Sequence, residues 1–307
     1  MTSATDAPYT PGINTPNTKA ALASVSVAVI LIGLKAYATW DTASVAMLGS
    51  LADSTLDLIA SGVTLYSVHL ARIPADRQHR FGHGKAEAIA ALFQVILISL
   101  SAFGIAIRSI HVWLTGGATT GAESGIAVSV FALLLTFALV GYQRAVIAKT
   151  ASIAIQTDKV HYQSDLLLNA AVIVALVLDH MLGIAGADAI FGIGIAAFLL
   201  FGAFQASGAA IDQLMDREWP ESRRREFLTV ANAHPELQGI HDLRTRTSGN
   251  RDFVQFHAWV DPDMSVGEAH RVMDEVEAKL RAAFPGIEIL IHPDPAGHID
   301  EAPHAGP

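Results

Sequence analysis

The sequence predicts a membrane all-α bundle of six transmembrane helices followed by a small cytoplasmic α+β domain, and three observations predict it. Hydrophobic residues make up 51% of the 307-residue chain and charged ones 16%, with a mean hydropathy of +0.40, too apolar for an ordinary soluble protein. Six apolar stretches lie near 20–41, 44–71, 86–114, 123–148, 152–181 and 185–212. Each is close to or above the roughly 20 residues that cross about 30 Å of hydrocarbon. From about Leu214 the pattern turns abruptly charged and soluble.

Taken in order, residues 1–18 are polar, carry no Lys or Arg and lack the basic and apolar regions of a signal peptide, so they read as a disordered leader. The transmembrane domain is expected over 19–213. Its second and third stretches are joined by a loop holding Arg72, Arg77, Arg80 and Lys85, and its fourth and fifth by one holding Arg144 and Lys149. The turns near Asp41, at 115–122 and at 182–187 hold no Lys or Arg. The positive-inside rule then puts the basic loops and both termini in the cytoplasm of a multi-pass protein. Lys35 and Arg108, near the outer ends of their stretches, read as side chains that snorkel to the interface.

A second domain is expected over 214–296, with a flexible tail at 297–307. Pro220 and Glu221 open a helix near 220–233, and strands follow near 239–246 and 252–260. A helix near 266–283 lines up Val266, Ala269, Val272, Met273, Val276 and Leu280, and a strand near 286–292 alternates Ile287, Ile289 and Ile291. A unit of roughly 85 residues has a modest core, which favours dimerisation.

The chain has no cysteine, which removes disulfides, thiolate ligands and thiol nucleophiles, so metal chemistry falls to His, Asp and Glu. Ten basic and twelve acidic residues lie up to Asp212, and ten basic and seventeen acidic follow. The acidic second part argues against nucleic-acid binding.

Ionisable residues within a membrane are costly and mark function by default. The second stretch holds Asp53 and Asp57 and the fifth His161 and Asp165, each pair four residues apart and so on one helical face. Entering from opposite sides at 1.5 Å per residue, both pairs lie about 14 to 20 Å deep, at one level near the bilayer centre. Ser50, Ser54, Ser61 and Thr64 extend the first face, Asp158 and Asn169 the second, which suggests a hydrated cavity between the two helices. Three carboxylates and one imidazole suit a tetrahedral ion such as zinc. The alternative is a hydrogen-bonded cluster of neutralised acids.

Six segments in order, ADSTLD (52–57), PADRQHRFGHGKAEAIAAL (74–92), HYQSD (161–165), LMDR (214–217), HDLRTR (241–246) and HPDP (292–295), carry a resemblance to the cation diffusion facilitators, and within them to the bacterial zinc and iron exporters. It covers about residues 20–296. The resemblance implies a ferredoxin-like, metallochaperone-like cytoplasmic domain, a homodimer in the bacterial inner membrane, and a transport site of Asp53, Asp57, His161 and Asp165 in an arrangement associated with zinc. It also implies an accessory metal site at Asp76, His79 and His83, whose D-x2-H-x3-H spacing can surround one ion; the alternative is a solvated basic loop whose histidines bind nothing strongly. Lys85 is similar to a family lysine that pairs with the aspartate after the last membrane helix, here Asp216, as a dimer interlock. His241, His257, His292 and Asp294 match cytoplasmic ligands, and His270 a further one; for His257 a packed histidine is the alternative. Where many relatives read His-Gln-Asp this chain reads His292-Pro293-Asp294, and proline brings no side-chain ligand to a two-metal site. His180, His234, His298 and His304 match nothing diagnostic and read as surface histidines.

The expected function is proton-coupled antiport of divalent cations out of the cytoplasm, with Zn2+ foremost and Cd2+ or Fe2+ as further substrates. Metal and protons compete for the same ligands, and His161 with Asp53, Asp57 or Asp165 takes up protons as the ion leaves. The expected partners are metal ions, protons and membrane lipid, and the resemblance further implies that cytoplasmic zinc is a regulatory ligand that draws the C-terminal domains of the dimer together; no organic cofactor is expected. Absence of an H-E-x-x-H pair speaks against a metalloenzyme. A membrane-anchored metal sensor without net transport is the other reading.

Overall fold

The computed structural model describes residues 15–42, 45–115, 126–182, 187–235, 237, 239–249 and 251–298. The leader through residue 14, the tail from residue 299, most of the lysine- and arginine-free turns, His304 and the side chains of Ser50, Asn169 and His180 lie outside what is described. The chain forms two compact units, Met1–Ile211 and Asp212–Pro307.

The first unit is built from α1 (Pro16–Thr42), α2 (Val45–Ala71), α3 (Ala86–Thr115), α4 (Ile126–Thr150), α5 (Ile153–Leu182) and α6 (Ala187–Leu214). These helices coincide with the six apolar stretches. Within the described residues, α1, α3, α4 and α6 are long and apolar enough to cross a membrane. The bundle is apolar outside and small or polar inside. Ile96, Leu100, Phe103, Ile107, Phe201 and Phe204 are exposed, whereas Ala20, Ala60, Ala91, Ala154, Ser54, Ser61, Thr64 and Gln143 are buried. That inversion is expected where lipid, not water, surrounds the helices, because small side chains let backbones approach and polar ones must find partners inside.

α1 packs along α2 and α4, α4 along α5, and α3 against α2 and α5. Ile98 and Ala102 of α3 share an apolar cluster with Ile195, Leu199 and Ala203 of α6. Where α5 begins, Ser152 Oγ donates to Glu87 Oε2 of α3 at 2.5 Å, and both residues are buried. A buried hydroxyl–carboxylate bond of this kind ties the start of α5 to α3.

The second unit runs α7 (Glu221–Ala231), β1 (Ile240–Ser248), β2 (Arg251–Val260), α8 (Val266–Ala283) and β3 (Ile287–Pro295). The strands form one sheet in the order β1-β2-β3, with β1 antiparallel and β3 parallel to β2. Parallel pairing requires the crossover that α8 supplies. Phe227 of α7 and Val272, Val276 and Leu280 of α8 pack with Val254, Phe256, Ala258, Ile287 and Ile289 of the sheet. The core covers one face of β2. Gln255, His257 and Trp259, at the intervening positions, are left on the other.

Candidate metal centres

Among the described residues, three groups bring ligand atoms of at least three His, Asp or Glu side chains within 4.8 Å of one another: Asp57, His161 and Asp165; Asp76, His79 and His83; His241, His257 and Asp294.

The first lies in the helix bundle. Asp57 comes from α2, and His161 and Asp165 stand one turn apart on α5. His161 Nε2 sits 2.8 Å from Asp57 Oδ1, and both side chains are largely buried. Tyr162 presents its ring edge to His161 and its hydroxyl lies 2.8 Å from Ser61 Oγ, also donating to Ser24 O at 3.1 Å. Asp53, one turn along α2 from Asp57, is exposed and stands outside this group, although within electrostatic reach of Asp165. A tetrahedral zinc at 2.0–2.2 Å sets its ligands about 3.4 Å apart. The three side chains present need shift little to meet that spacing, and Asp53 is the residue one turn away that offers a fourth oxygen.

Two polar groups near this site depart from the sequence reading. Lys35 does not run outward: its Nζ donates to the buried Ser54 Oγ of α2 at 2.7 Å, because an ammonium at this depth gains more from a carboxylate-rich helix face than from a long reach to the interface. Arg108 remains exposed on α3. Asp158, expected to line a hydrated cavity, is wholly buried and hydrogen-bonded to Ser24, Gln94 and Gln143. The signal that could have revealed this knot is the glutamine set within the apolar run of α3 and again of α4, since each must find a partner inside.

The second group lies in the loop between α2 and α3. Asp76 Oδ1 accepts from the backbone N–H of His79 at 2.6 Å and of Gln78 at 2.8 Å, an Asx turn that folds the loop over its own carboxylate. His79 Nδ1 and His83 Nε2 each lie 3.5 Å from an Asp76 oxygen, with the two rings 4.4 Å apart. The His79 N–H bond leads the causes that hold the Asp76 carboxyl below the usual carboxylate range, so it stays ionised and open to a cation. Lys85 stands at the end of the same loop, half-buried.

The third group lies on the uncovered face of the sheet. Strand register sets His241 opposite His257 and His257 opposite His292, one histidine per strand in a single row. A register shift between His241 and Arg244, with Asp242 at φ 46°, bends β1 beside that row. Asp294, two residues beyond His292 and buried, takes His257 Nδ1 at 2.9 Å and His241 Nε2 at 3.2 Å on Oδ2, and His292 Nε2 at 3.2 Å on Oδ1. Burial works to raise its carboxyl, but the His257 bond and the three imidazoles outweigh it and hold Asp294 below the usual carboxylate range. His292 is bound to Asp294 without joining the mutually close group. His270 is on α8, 77% exposed and 3.7 Å from Asp274, away from the histidine row. Asp216 Oδ2 lies 3.4 Å from Arg246 Nη1 of β1. His234 is not a surface residue: it is 4% exposed, with Nε2 3.5 Å from Glu275, because the turn after α7 packs it against α8.

Residues 21–215 match the family of cation efflux transmembrane domains, and residues 219–296 match the cytoplasmic domain of cation efflux proteins. The chain belongs to the cation efflux family. This cation efflux protein is 41% identical over 284 residues to the cation-efflux pump FieF of Pectobacterium atrosepticum, covering 92% of this chain and 94% of that one. It is 40% identical over 286 residues to the FieF pump of Yersinia pestis strain Pestoides F, covering 93% and 95%. A solved Zn form of the transporter CzrB is 36% identical, covers 27% of this chain and 97% of its own, and has a TM-score of 0.27. As a cation efflux protein the chain is a membrane transporter and not an enzyme, and metal ions are its cargo.

Proposed function

We propose that this cation efflux protein is a proton-coupled antiporter that exports divalent cations, zinc foremost and Cd2+ or Fe2+ besides, from the cytoplasm across the bacterial inner membrane. The observation that carries the reading is the Asp57, His161 and Asp165 group, set between α2 and α5 inside the transmembrane domain. Two carboxylates and an imidazole bind a cation only when ionised and neutral respectively, so cation and protons compete for the same atoms. The Nε2–Oδ1 contact of His161 and Asp57 is what the cation displaces on binding and what protons restore on its departure. Asp53 completes the transport site as a fourth ligand. All six helices cross the membrane, both termini are cytoplasmic and the working unit is a homodimer, interlocked by Lys85 and Asp216. The loop group at Asp76 is an accessory site, and His241, His257, His292, His270 and Asp294 bind cytoplasmic metal.

The absence of cysteine supports a site built for turnover, since thiolates hold zinc too firmly for release on each cycle. Zinc uptake into inverted vesicles carrying an imposed pH gradient tests the proposal. Gradient-dependent uptake is expected in the intact protein and its loss in Asp57→Ala and His161→Ala. Uptake that survives both substitutions makes the group structural. No uptake by any form leaves a membrane-anchored sensor.

A further inference from the structure

Asp158 of α5 is 0% exposed and belongs to none of the three metal groups. Ser24 Oγ of α1 donates to its Oδ2 at 2.6 Å, Gln143 Nε2 of α4 donates to the same oxygen at 2.8 Å, and Gln94 Nε2 of α3 donates to Oδ1 at 3.2 Å. Gln143 Nε2 also lies 3.0 Å from Ser24 Oγ, and Gln94 donates to Thr64 of α2, so every helix from α1 to α5 enters the knot. The groups reaching Asp158 from other helices are uncharged. The titratable ones that bear on it, His161 and Tyr162, are on its own helix.

Three donors suit an ionised carboxylate, and an acceptor suits a protonated one. The knot holds both. Oε1 of Gln94 and Oε1 of Gln143 are buried and meet no hydrogen-bond partner among the described residues, on side chains 1% and 0% exposed. Buried polar atoms left unpaired are costly and rare. Two of them beside one carboxylate are accounted for if each amide has a second orientation in which its oxygen is used. Half a turn about the last side-chain bond replaces an N–H donor by a C=O acceptor at the same place. Asp158 is then satisfied in either state: ionised, held by amide nitrogens, or protonated, donating its O–H to a turned glutamine oxygen.

We propose that Asp158, caged by Ser24, Gln94 and Gln143, is a proton-binding site of the transport cycle separate from the metal ligands. The inference rests on the antiport reading above. Asp158 stands one turn from His161, about 4.5 Å along the helix axis. Ionised Asp158 attracts a divalent cation at His161 through an interior of low dielectric and protonated Asp158 does not, so each occupant weakens the binding of the other. One O–H bond forms on the carboxylate, with a proton from the outer side, as the cation leaves; that bond breaks, and the proton is released, as the next cation binds. No metal–oxygen bond is made at Asp158.

Full-length protein reconstituted with zinc separates this from a structural role. Uptake driven by a pH gradient needs the proton step, whereas exchange of labelled zinc between zinc-loaded vesicles and medium at equal pH needs none. For Asp158→Asn, gradient-driven uptake is expected to fall about tenfold or more, while exchange measured at saturating zinc, where weakened cation affinity no longer counts, stays within about twofold of the intact protein. A parallel fall in exchange assigns Asp158 a structural role and overturns the proposal, as does gradient-driven uptake that persists. An intact protein whose uptake ignores the gradient removes the antiport reading itself. Should Asp158→Asn fail to assemble, infrared difference spectra decide. Zinc addition is expected to bleach a protonated carboxyl band whose position moves in Gln143→Leu, and an unmoved band overturns the proposal.

Discussion

Asp294 is the residue on which the cytoplasmic histidines converge, with one carboxylate oxygen shared by His257 and His241 and the other taken by His292. Removing it takes away the one carboxylate shared by all three imidazoles and leaves, among the described residues, only Asp242, whose Oδ2 lies 4.0 Å from His257 Nε2. Asp294→Ala is therefore expected to weaken zinc binding to the cytoplasmic domain about 10- to 100-fold, read by calorimetry on protein whose transport site carries His161→Ala. Unchanged affinity would take Asp294 out of the ligand set. The same carboxylate sets an acid limit on stability. Its folded pKa lies below the ordinary value of 3.8, so its contribution is complete above that value and is lost as pH falls through the lower folded one. The metal-free cytoplasmic domain should lose stability over that acid window, and Asp294→Asn should flatten the profile there; equal slopes in the two proteins would contradict the assignment.

At the scale of elements, α8 shows which local forces count. Ser265 and Glu268 close a capping box at its start, with Glu268 Oε2 accepting from Ser265 N–H at 2.9 Å and Ser265 Oγ accepting from Glu268 N–H at 3.3 Å. Loss of such a cap costs about 1 kcal/mol. Phe227, which anchors α7, is wholly buried and meets the rings of Trp219, Phe256 and Phe284. Truncating a buried phenylalanine costs about 3–5 kcal/mol. Against a net stability of about 5–15 kcal/mol for a domain, Phe227→Ala should unfold the cytoplasmic domain in denaturant far earlier than Ser265→Ala does. Similar midpoints would mean that α7 contributes little to this core. In the membrane unit, α5 bears the comparable weight. It carries His161 and Asp165 one turn apart and Asp158 one turn before them, and the residue just before its start, Ser152, bonds to Glu87.

At the scale of the molecule, a first unit holding two of the metal groups and a second unit holding the third invite regulation of transport in the first by metal in the second. Deleting 214–307 is expected to leave zinc transport without activation by cytoplasmic zinc, measured as initial flux against internal zinc. Activation that persists without those residues would sink the regulatory role. The deletion also removes Asp216, so an exchange in the intact chain is needed to isolate the interlock. Lys85→Glu alone should lower flux, and Lys85→Glu with Asp216→Lys should restore it; failure to restore would leave Lys85 and Asp216 unlinked.

The sequence by itself determined the six apolar helices, the change from apolar to charged composition near Leu214 and the spacings that set His161 beside Asp165 and Asp76 near His79 and His83. These depend on periodicity and local separation, which a single strand of text carries. It also named His241, His257 and Asp294, through motif resemblance. Only the tertiary structure decided that Asp57 meets His161 while Asp53 stays exposed, that Lys35 turns onto Ser54 and that His234 is buried. It alone gathered Ser24, Gln94 and Gln143, separated by up to 134 residues from Asp158, around one carboxylate. The physical reason is that a polar side chain in an apolar helix must be satisfied inside the bundle, and which partner satisfies it is set by how the helices rotate against one another, a property no single helix encodes.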